Sequence, residues 1–328
     1  MMLQTHALHA GYKHTSLLGP LDLELPVGRL ICLIGANGAG KSTLIRTLCG
    51  MQRAVSGTVT IDGTPLERMT DLQRARNLAV VLTDRVTAPA MTGYELASLG
   101  RYPHVGWSGR LSSDDHAIVH AALKQAGALP LATRQIAELS DGERQKILIA
   151  RALAQEPRVL VLDEATAFLD LPRRIETMQL LLDLARSRQL AILLSTHDLE
   201  LALRYADALW LIDPARRLFA GAPEDLALNG ALSNTFSADG LIFDLERGEL
   251  SIGRPARFGI RLEGDGMHAA WARRALLRAG YAIDEDAPAV LHAGHNGYTL
   301  RLPGHAARTI STLGKVVDAL AQPMDQAA

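Results

Sequence analysis

The sequence predicts an α/β fold with a mainly parallel sheet, a helical insertion and a small α+β domain at its C-terminal end. Strand and helix patterns alternate up to about residue 250, which is the βαβ order of a parallel sheet. A glycine-rich loop stands between an apolar strand and a helix. Between about residues 85 and 154 the strand pattern disappears and apolar residues recur at helical spacing. We therefore predict one large domain over 1–252, with a helical subdomain at about 85–154, and an accessory domain over 253–328.

The elements follow in order from apolar runs and turn signals. Residues 30–34 and 42–48 predict the strand and the helix that flank the glycine loop. The other predictions for the large domain are strands 58–61, 78–82, 159–162 and 191–195 and helices 94–99, 115–126, 142–153 and 172–188. Those for the accessory domain are strands 258–262, 289–291 and 298–302, a turn at 264–266, and helices 267–279 and 309–320, the first with Met267, Trp271 and Ala275 on one face.

Composition indicates a folded intracellular enzyme. With 48% hydrophobic residues among 328, the chain has enough apolar residues for a substantial core, and its formal net charge of −1 provides no global field for nucleic acid or an anionic membrane. The cysteines, Cys32 and Cys49, are expected to be buried and reduced. Because there is no leader at Met1 and no apolar run of about 20 residues, we expect a cytoplasmic protein, or one held at a membrane by another protein.

The glycine loop matches the spacing G-x-x-x-x-G-K-[ST] of loops that bind nucleoside triphosphates. Glycine lets backbone N–H groups turn towards phosphate oxygens, and the next helix adds the positive end of its dipole. Lys41 is expected to reach the β- and γ-phosphates, and the Ser42 hydroxyl to face Mg²⁺. A plain glycine-rich turn, the alternative, needs neither side chain. The predicted nucleotide contacts are Gly35, Asn37, Gly38, Ala39, Gly40, Lys41, Ser42 and Thr43.

Two carboxylates, Asp163 and Glu164, end the apolar strand 159–162. Ligands of open α/β sheets bind at the carboxyl ends of the strands. We therefore expect Asp163 to hold Mg²⁺ and Glu164 to act on water as a general base. Alone, such a pair is as consistent with a helix cap, but together with Lys41 it indicates nucleotide hydrolysis.

A third landmark is the segment Leu139-Ser140-Asp141-Gly142-Glu143, at the start of the predicted helix 142–153. Here the chain resembles the ATP-binding subunits of ABC transporters, whose motif at this place is LSGGQ, and the resemblance extends over about residues 1–250. It implies an ABC ATPase core around the phosphate loop (P-loop), with ATP and Mg²⁺ as ligands. It also implies that Ser140 and Gly142 contact the nucleotide of a second copy of the chain, so that a homodimer holds two ATP molecules.

Other residues match the family's motifs in the same order. The resemblance implies that the ring of Tyr12 stacks on adenine, that Asp170 belongs to the D-loop just past Glu164, and that His197 contacts the γ-phosphate. Stacking on a base is worth about 1–3 kcal/mol. The plainer alternatives are ordinary packing for Tyr12, a strand-end histidine for His197, and a helix cap before Pro172 for Asp170.

Two departures from the family pattern affect the site. Asp141 and Glu143 put carboxylates into the LSGGQ-like segment, and we expect Glu143 to fold back on Ser140 as a capping box, away from ATP. After the strand that leaves the first subdomain, the family has a glutamine where this sequence has Thr83 and then Asp84. Thr83 is the expected oxygen ligand near Mg²⁺, and Asp84 acting through water is the alternative.

The segment Gly100-Arg101-Tyr102-Pro103-His104 resembles one in importer ATPases for iron-siderophore, haem and cobalamin uptake, and a simple turn is its alternative. The resemblance implies an ATPase that energises an importer. Such a protein is peripheral on the inner face of the cell membrane, bound to permease subunits and linked indirectly to a substrate-binding protein.

Other functions are also open. A soluble ABC-type ATPase acting on nucleic acid or ribosomes is the alternative, but the chain shows no second ATPase unit, long coiled coil or basic extension, so no nucleic-acid partner is expected. A subunit that binds nucleotide without cleaving it is opposed by the Asp163-Glu164 pair. The accessory domain resembles no functional module, and dimerisation, regulation and structural support all stay open for it.

Two histidine pairs have spacings that would permit metal binding. His116 and His120 lie one helical turn apart, and His292 and His295 lie in a predicted loop. Because neither pair has a third ligand nearby in the sequence, we interpret both as solvated and predict no metal site beyond that of the nucleotide's Mg²⁺.

Overall fold

A computed structural model of the chain describes residues 3–82, 90–106, 109–167, 169–237, 241–245, 248–252 and 257–321. Its contacts divide the chain into two compact units, Met1–Ser251 and Ile252–Ala328. Within the described ranges, no helix is both long and apolar enough to cross a membrane.

The first unit alternates strands and helices. Its strands are β1 Leu3–Tyr12, β2 Thr15–Leu21, β3 Glu24–Leu25, β4 Leu30–Gly35, β5 Ser56–Ile61, β6 Thr64–Pro65, β7 Leu78–Val81, β8 Val159–Asp163, β9 Ala191–Ser195, β10 Ala208–Ile212, β11 Leu218–Gly221, β12 Leu241–Asp244 and β13 Glu249–Ile252. Its helices are α1 Lys41–Leu48, α2 Asp71–Asn77, α3 Gly93–Ser98, α4 Ser113–Gln125, α5 Asp141–Ala154, α6 Leu171–Arg188, α7 Leu199–Tyr205, α8 Pro223–Leu228 and α9 Ala231–Phe236.

The central sheet has the strand order β11-β10-β4-β9-β8-β7, and its neighbours are parallel except for β10 and β11. This confirms the predicted mainly parallel sheet. Its inner strands β4, β8 and β9 are buried along their whole length, as strands covered on both faces must be. Because these strands run in the same direction, the residues that follow them meet at one edge of the sheet.

A different hydrophobic cluster covers each face of the central sheet. On one face, Leu44 and Leu48 of α1 share a core with Leu33 of β4 and Leu193 of β9. On the other face, residues of α5 and α6 form the core with the alternate side chains of the same strands. The helix that follows the glycine loop therefore lies on one defined face of the strands that carry the catalytic candidates.

A second, antiparallel sheet has the order β2-β1-β5-β6, with β3 also paired to β1. Strands β1, β2 and β3 were not predicted from the sequence. The pairing of β1 with β5 shifts register between His6 and His9, where Ala7 has a positive φ of 43°. Such an irregularity interrupts the two-residue alternation by which a strand is recognised in a sequence.

The insertion between β7 and β8 contains α3, α4 and α5, as predicted from the helical spacing. Each helix starts with a reciprocal capping box, formed by Thr92 with Glu95, Ser112 with Asp115, and Ser140 with Glu143. Gly100 lies against α5, where a Cβ atom would come within 2.0 Å of the Arg151 carbonyl oxygen, so the close approach requires glycine.

The second unit consists of β14 Gly259–Glu263, α10 Gly266–Arg278, β15 Ala282–Ile283, β16 Val290–Gly294, β17 Gly297–Arg301, β18 Arg308–Ile310 and α11 Leu313–Ala321. Its sheet order is β15-β14-β16-β17-β18. The predicted helix 309–320 was wrong at its start, because residues 308–310 pair with β17 as an edge strand. Of the three residues predicted to share one face of α10, Ala275 is buried but Met267 and Trp271 are exposed, and α10 packs mainly through Ala272 and Leu276.

Candidate nucleotide-binding site

The glycine loop joins β4 to α1 in the predicted strand-loop-helix arrangement. Gly38 and Gly40 have φ angles of 77° and 110°, which side chains rarely adopt, and a Cβ on Gly40 would lie 2.9 Å from Leu17 Cδ2. Asn37 and Gly38 are exposed, and Ala39 turns inward. The first amide groups of α1 face the loop without intrahelical partners, so the backbone is arranged to bind an anion.

Lys41 is buried within this loop. Only 6% of the residue is exposed, and Nζ donates hydrogen bonds to the carbonyl oxygens of Gly35 at 2.8 Å and Ala36 at 3.3 Å. Burial lowers the pKa of Lys41, while the carboxylates of Glu164 and Asp163 act in the opposite direction. The ammonium group therefore lies close to both acidic candidates.

Tyr12 lies beside the start of α1. Its hydroxyl shares a hydrogen bond of 2.9 Å with Thr43 Oγ1, yet 54% of the residue is exposed. Thr43 itself is buried, and Ser42 is exposed at the mouth of the loop. A tethered but accessible ring is suited to stacking on a base, and the stacking role stays a prediction.

Asp163 ends β8 on the face of the sheet that carries α1. It is 8% exposed, and its alternating neighbours Val159 and Val161 belong to the core beneath α1. Burial, with a smaller contribution from the Asp163 charge, raises the pKa of Cys49 in that core to about 12. Asp163 is therefore directed towards the helix that begins with Lys41 and Ser42.

Glu164 leaves the strand in a left-handed conformation, with φ of 51°. Its N–H donates to the Ser195 carbonyl oxygen at 3.0 Å, and its own carbonyl accepts from Ala167 N at 3.0 Å. A non-glycine residue in this region costs about 1–3 kcal/mol and is held there by its surroundings. The turn directs the carboxylate to the imidazole of His197, with which it forms a short contact through Nε2.

His197 is held between two anchored residues that follow β9. Thr196 is 3% exposed and its N–H donates to the Leu33 carbonyl oxygen at 3.2 Å. Asp198 accepts from Leu201 N at 3.1 Å as the N-cap of α7, and pairs with Arg174 at 3.3 Å. A cleft of about 680 Å³ opens beside this pair, lined by Glu164, Thr166, Ala167, Arg174, Thr196, His197, Asp198, Leu199, Glu200, Gly248 and Leu250.

The LSGGQ-like segment begins α5. The Ser140 N–H and hydroxyl each donate to Glu143 Oε2 at 2.9 Å, which confirms that Glu143 folds back on the helix start. Hydrogen bonds from Ser140 lower the pKa of Glu143, helped by Arg134, which pairs with it at 2.9 Å. Asp141 pairs with Arg144 at 3.0 Å. Both unexpected carboxylates are thus engaged locally.

Asp170 is the N-cap of α6, where Oδ1 accepts from Arg173 N at 3.0 Å. This is the helix-cap alternative, and it does not contradict a role towards a second chain. A Cβ on Gly142 would lie 3.5 Å from Leu169 Cδ2, so the starts of α5 and α6 are neighbours. The predicted site residues therefore fall into two groups: one at the carboxyl edge of the central sheet, and one, Ser140, Gly142 and Asp170, at these helix starts.

Comparison with known proteins decides the family. A family model described as ABC transporter matches residues 18–167, and one described as iron ABC transporter C-terminal domain matches residues 257–321. An uncharacterized ABC transporter ATP-binding protein of Methanocaldococcus jannaschii is 42% identical over 225 residues, which are 69% of this chain and 78% of the relative. This chain belongs to the ATP-binding proteins of ABC transporters. As a member of this family, the ABC protein is an ATPase coupled to transport.

Other relatives and solved structures agree. The achromobactin transport ATP-binding protein of Dickeya dadantii is 36% identical over a region that covers 72% of this chain and 88% of the relative. The petrobactin import ATP-binding protein of Bacillus anthracis is 35% identical over a region that covers 68% of this chain and 82% of the relative. A solved metal-chelate type ABC transporter in an inward-facing conformation is 27% identical with a TM-score of 0.63, over 72% of this chain and 88% of its own. These comparisons confirm the resemblance and the ABC ATPase fold, and do not favour an ATPase of nucleic acid or ribosomes.

Two further predictions about the ABC protein concern the position of the family's glutamine and the histidine pairs. Thr83 and Asp84 lie outside the described residues, so the replacement of the family's glutamine stays a prediction. The histidine pair of α4 packs against an aromatic ring: the centroid of the Tyr94 ring lies 6.1 Å from that of His116 and 5.4 Å from that of His120. Across the described ranges, no group of three His, Cys, Asp or Glu side chains is placed to hold a metal ion.

The segment 100–104 of the ABC protein is more than a turn. Arg101 is 4% exposed; its guanidinium donates to Asp115 Oδ1 and the Ala154 carbonyl oxygen, each at 2.8 Å, and to Glu156 Oε2 at 2.7 Å. Tyr102, next to it, is 78% exposed. A buried anchor therefore presents an aromatic residue at the surface, which the motif alone did not reveal.

Proposed function

We propose that two copies of this ABC protein bind and hydrolyse MgATP between them to drive import of an iron-siderophore, haem or cobalamin-type substrate. The observation that carries the catalytic part is the convergence of Lys41, Asp163, Glu164 and His197 at one edge of the central sheet. The names of the siderophore-transporting relatives, and that of the C-terminal family model, support the substrate class.

Each residue has a distinct task in this proposal. Lys41 Nζ exchanges its bonds to the Gly35 and Ala36 carbonyls for oxygens of the β- and γ-phosphates. Ser42 and Asp163 offer a hydroxyl and a carboxylate, which are the oxygen donors that Mg²⁺ prefers, so the residues present fit the ion. When bound, Mg²⁺ neutralises charge that develops on the phosphates.

Glu164 is the general base. Its carboxylate accepts a proton from the water that attacks the γ-phosphorus, and the bond to the β-γ bridging oxygen breaks to release ADP and phosphate. His197 contacts that carboxylate through Nε2. In this proposal His197 also donates a hydrogen bond to a γ-phosphate oxygen. The left-handed φ of Glu164 and its N–H bond to Ser195 fix the carboxylate before ATP arrives.

The second copy completes each site through Ser140, Gly142 and Asp170. Ser140 is exposed at the N-terminus of α5, where the helix dipole favours an anion. Glu143 and Asp141 are paired with Arg134 and Arg144, which offsets their negative charge near a phosphate approaching Ser140. In this proposal the Ser140 hydroxyl exchanges its bond to Glu143 Oε2 for an oxygen of the γ-phosphate bound to the partner copy. A two-fold arrangement forms two equivalent sites at once.

Permease subunits hold the protein on the cytoplasmic face of the membrane in this proposal, and a substrate-binding protein supplies their cargo. The exposed Leu99 and Tyr102, fixed by the buried Arg101, support a contact surface on the helical insertion. No nucleic-acid partner is proposed.

The test of the catalytic proposal is Glu164→Gln. The variant should bind ATP as the parent does but hydrolyse it about 10²- to 10⁴-fold more slowly, and should accumulate as an ATP-bound dimer in light scattering. Glu200→Gln, an exposed residue that lines the same cleft, is the matched control and should hydrolyse at the parental rate. Undiminished hydrolysis by Glu164→Gln would overturn the assigned role.

The substrate class needs a separate experiment. The permease that co-purifies with the protein should be reconstituted in vesicles and supplied with a ferric siderophore, haem or cobalamin in parallel. ATP-dependent uptake of one of these supports the proposal, whereas uptake of none, with ATPase activity intact, contradicts the substrate class alone.

A further inference from the structure

We infer that Ser195 is a positioning residue for the metal end of the nucleotide site, where its hydroxyl orients the Asp163 carboxylate. This inference rests on the proposed function. It adds to the family's motif residues a side chain that sequence reasoning had placed only as the end of a strand.

The first observation is an unpartnered hydroxyl in the core. Ser195 is 0% exposed, and its Oγ has no hydrogen-bond partner within the described part of the chain. A buried polar atom left without a partner costs about 1–3 kcal/mol. Folded proteins therefore contain few such atoms, and those that occur often bind a water or an ion or take part in a functional site. The hydroxyl of the next residue, Thr196, by contrast accepts from Asp198 N at 3.1 Å.

The second observation is the place of Ser195 in the sheet. It pairs directly with Asp163 of β8 on one side and with Leu33 of β4 on the other. Side chains alternate along a strand, and Ala191 and Leu193 belong to the core beneath α1, as Val161 does two residues before Asp163. Ser195 and Asp163 are therefore cross-strand neighbours on the face that carries α1.

Neighbouring strands lie about 4.8 Å apart in the hydrogen-bonding direction, a distance that a hydroxyl and a carboxylate on adjacent strands can span directly or through one water. An ionised carboxylate has two oxygens and about four acceptor positions. If one oxygen of Asp163 faces the cation, the other accepts the Ser195 O–H, which restricts rotation of the carboxylate. Outer partners of this kind orient metal ligands in many sites.

The backbone of Ser195 supports the same assignment. Its carbonyl oxygen accepts the N–H of Glu164 at 3.0 Å and so helps to hold the left-handed turn. One residue thus contacts the turn that directs the general base and lies beside the metal ligand. The relative orientation of the Asp163 and Glu164 side chains therefore depends on β9 as well as on β8.

The test compares Ser195→Ala with Thr60→Val in a Glu164→Gln background, in which bound ATP should be hydrolysed only slowly. Thr60 is the matched control, because it is 6% exposed and its Oγ1 also lacks a partner among the described residues, but it lies in β5 of the other sheet. Mn²⁺ replaces Mg²⁺ as the probe, and its affinity for the ATP complex is measured by electron paramagnetic resonance. ATP affinity in excess EDTA and thermal unfolding without nucleotide are measured in parallel.

Ser195→Ala should weaken Mn²⁺ binding about 10- to 100-fold, the usual effect of losing an outer partner of a ligand. ATP affinity in EDTA and the unfolding temperature should be unchanged or slightly higher, because an unpaired hydroxyl has been removed. Thr60→Val should bind Mn²⁺ like the parent. Ser195→Thr, which keeps the hydroxyl, should restore most of the affinity, and Ser195→Cys, a weaker donor of similar size, should lie between.

Parental Mn²⁺ affinity in Ser195→Ala, or an equal loss in Thr60→Val, would overturn the inference. A lower unfolding temperature with no recovery of Mn²⁺ affinity in Ser195→Thr or Ser195→Cys would do the same, since it indicates a structural role alone. If the parent itself binds no Mn²⁺ with ATP, or binds it equally after Lys41→Ala, it is the proposed function that fails.

Discussion

Replacing Asp115 by asparagine should destabilise the helical insertion by about 2 kcal/mol at neutral pH. The Asp115 carboxylate accepts from Ser112 Oγ at 2.7 Å, from Ser112 N at 2.9 Å and from Arg101 Nε at 2.8 Å, with its side chain 12% exposed. These bonds, led by those from Ser112, lower its pKa from 3.8 to about 2. Since one pKa unit corresponds to about 1.4 kcal/mol, the ionised carboxylate contributes about 2 kcal/mol to folding.

The sign of the shift sets the pH dependence. A carboxyl group with a lowered pKa in the folded state contributes its stability above its unfolded pKa and loses it as the pH falls towards about 2. The difference between parent and Asp115→Asn should thus be constant from pH 7 to about 5 and shrink between about pH 4 and 2. Urea unfolding followed by circular dichroism at pH 7, 5, 4 and 3 measures it.

Asp114→Asn is the matched control, because Asp114 is the exposed neighbour on the same turn of α4. It should change stability by less than about 0.5 kcal/mol at every pH, as surface substitutions usually do. A penalty in Asp115→Asn that is as large at pH 3 as at pH 7 would refute the reasoning, because it would not come from the charge.

Substitutions at four further positions test single contacts. Lys41→Ala should weaken MgATP binding about 10- to 100-fold through loss of charged hydrogen bonds, and an unchanged dissociation constant in fluorescence titration would contradict the phosphate role. Tyr12→Ala should cost about 1–3 kcal/mol of ATP binding but Tyr12→Phe much less, so equal losses would exclude stacking as the main contribution. Asp170→Ala should lower stability by about 0.5–2 kcal/mol, whereas Asp170→Ser should keep the helix cap and the stability. If Asp170→Ser also keeps the parental turnover, so that turnover is lost only together with the cap, the D-loop role is wrong. Glu143→Gln should keep the capping box and the parental melting temperature, whereas Glu143→Ala should lower the free energy of unfolding by about 1 kcal/mol. An equal loss in both variants would show that Glu143 stabilises the protein through its ion pair with Arg134 and not through the capping box.

Much of the site could be predicted because its determinants are local. The glycine loop, Lys41 and the Asp163-Glu164 strand end each need only a strand, a turn and a helix in succession, and those patterns are visible over about ten residues. The fold-back of Glu143 on Ser140 is equally local, since the two residues are three positions apart.

What could not be predicted depends on residues distant in sequence. The bond between Tyr12 and Thr43 crosses from the antiparallel sheet to α1, and β1 was missed because of its irregular pairing. Arg101 belongs to a motif, but its burial follows from the packing of α4 beside the end of α5 within the helical insertion. Met267 and Trp271 were placed on one face of their helix with Ala275 from their spacing, yet both are exposed, because the sheet of the second unit packs against Ala272 and Leu276 of α10.

By itself, the sequence determined that this chain binds and hydrolyses a nucleoside triphosphate in an ABC-type fold, because phosphate-binding backbone and its catalytic side chains must occur at short, ordered spacings. Only the tertiary structure decided how those groups are oriented. The register of three parallel strands brings Ser195 beside Asp163, the left-handed turn directs Glu164 to His197, and burial holds Lys41 inside its own loop. Register and burial are properties of the packed sheet, and no stretch of the chain specifies them alone.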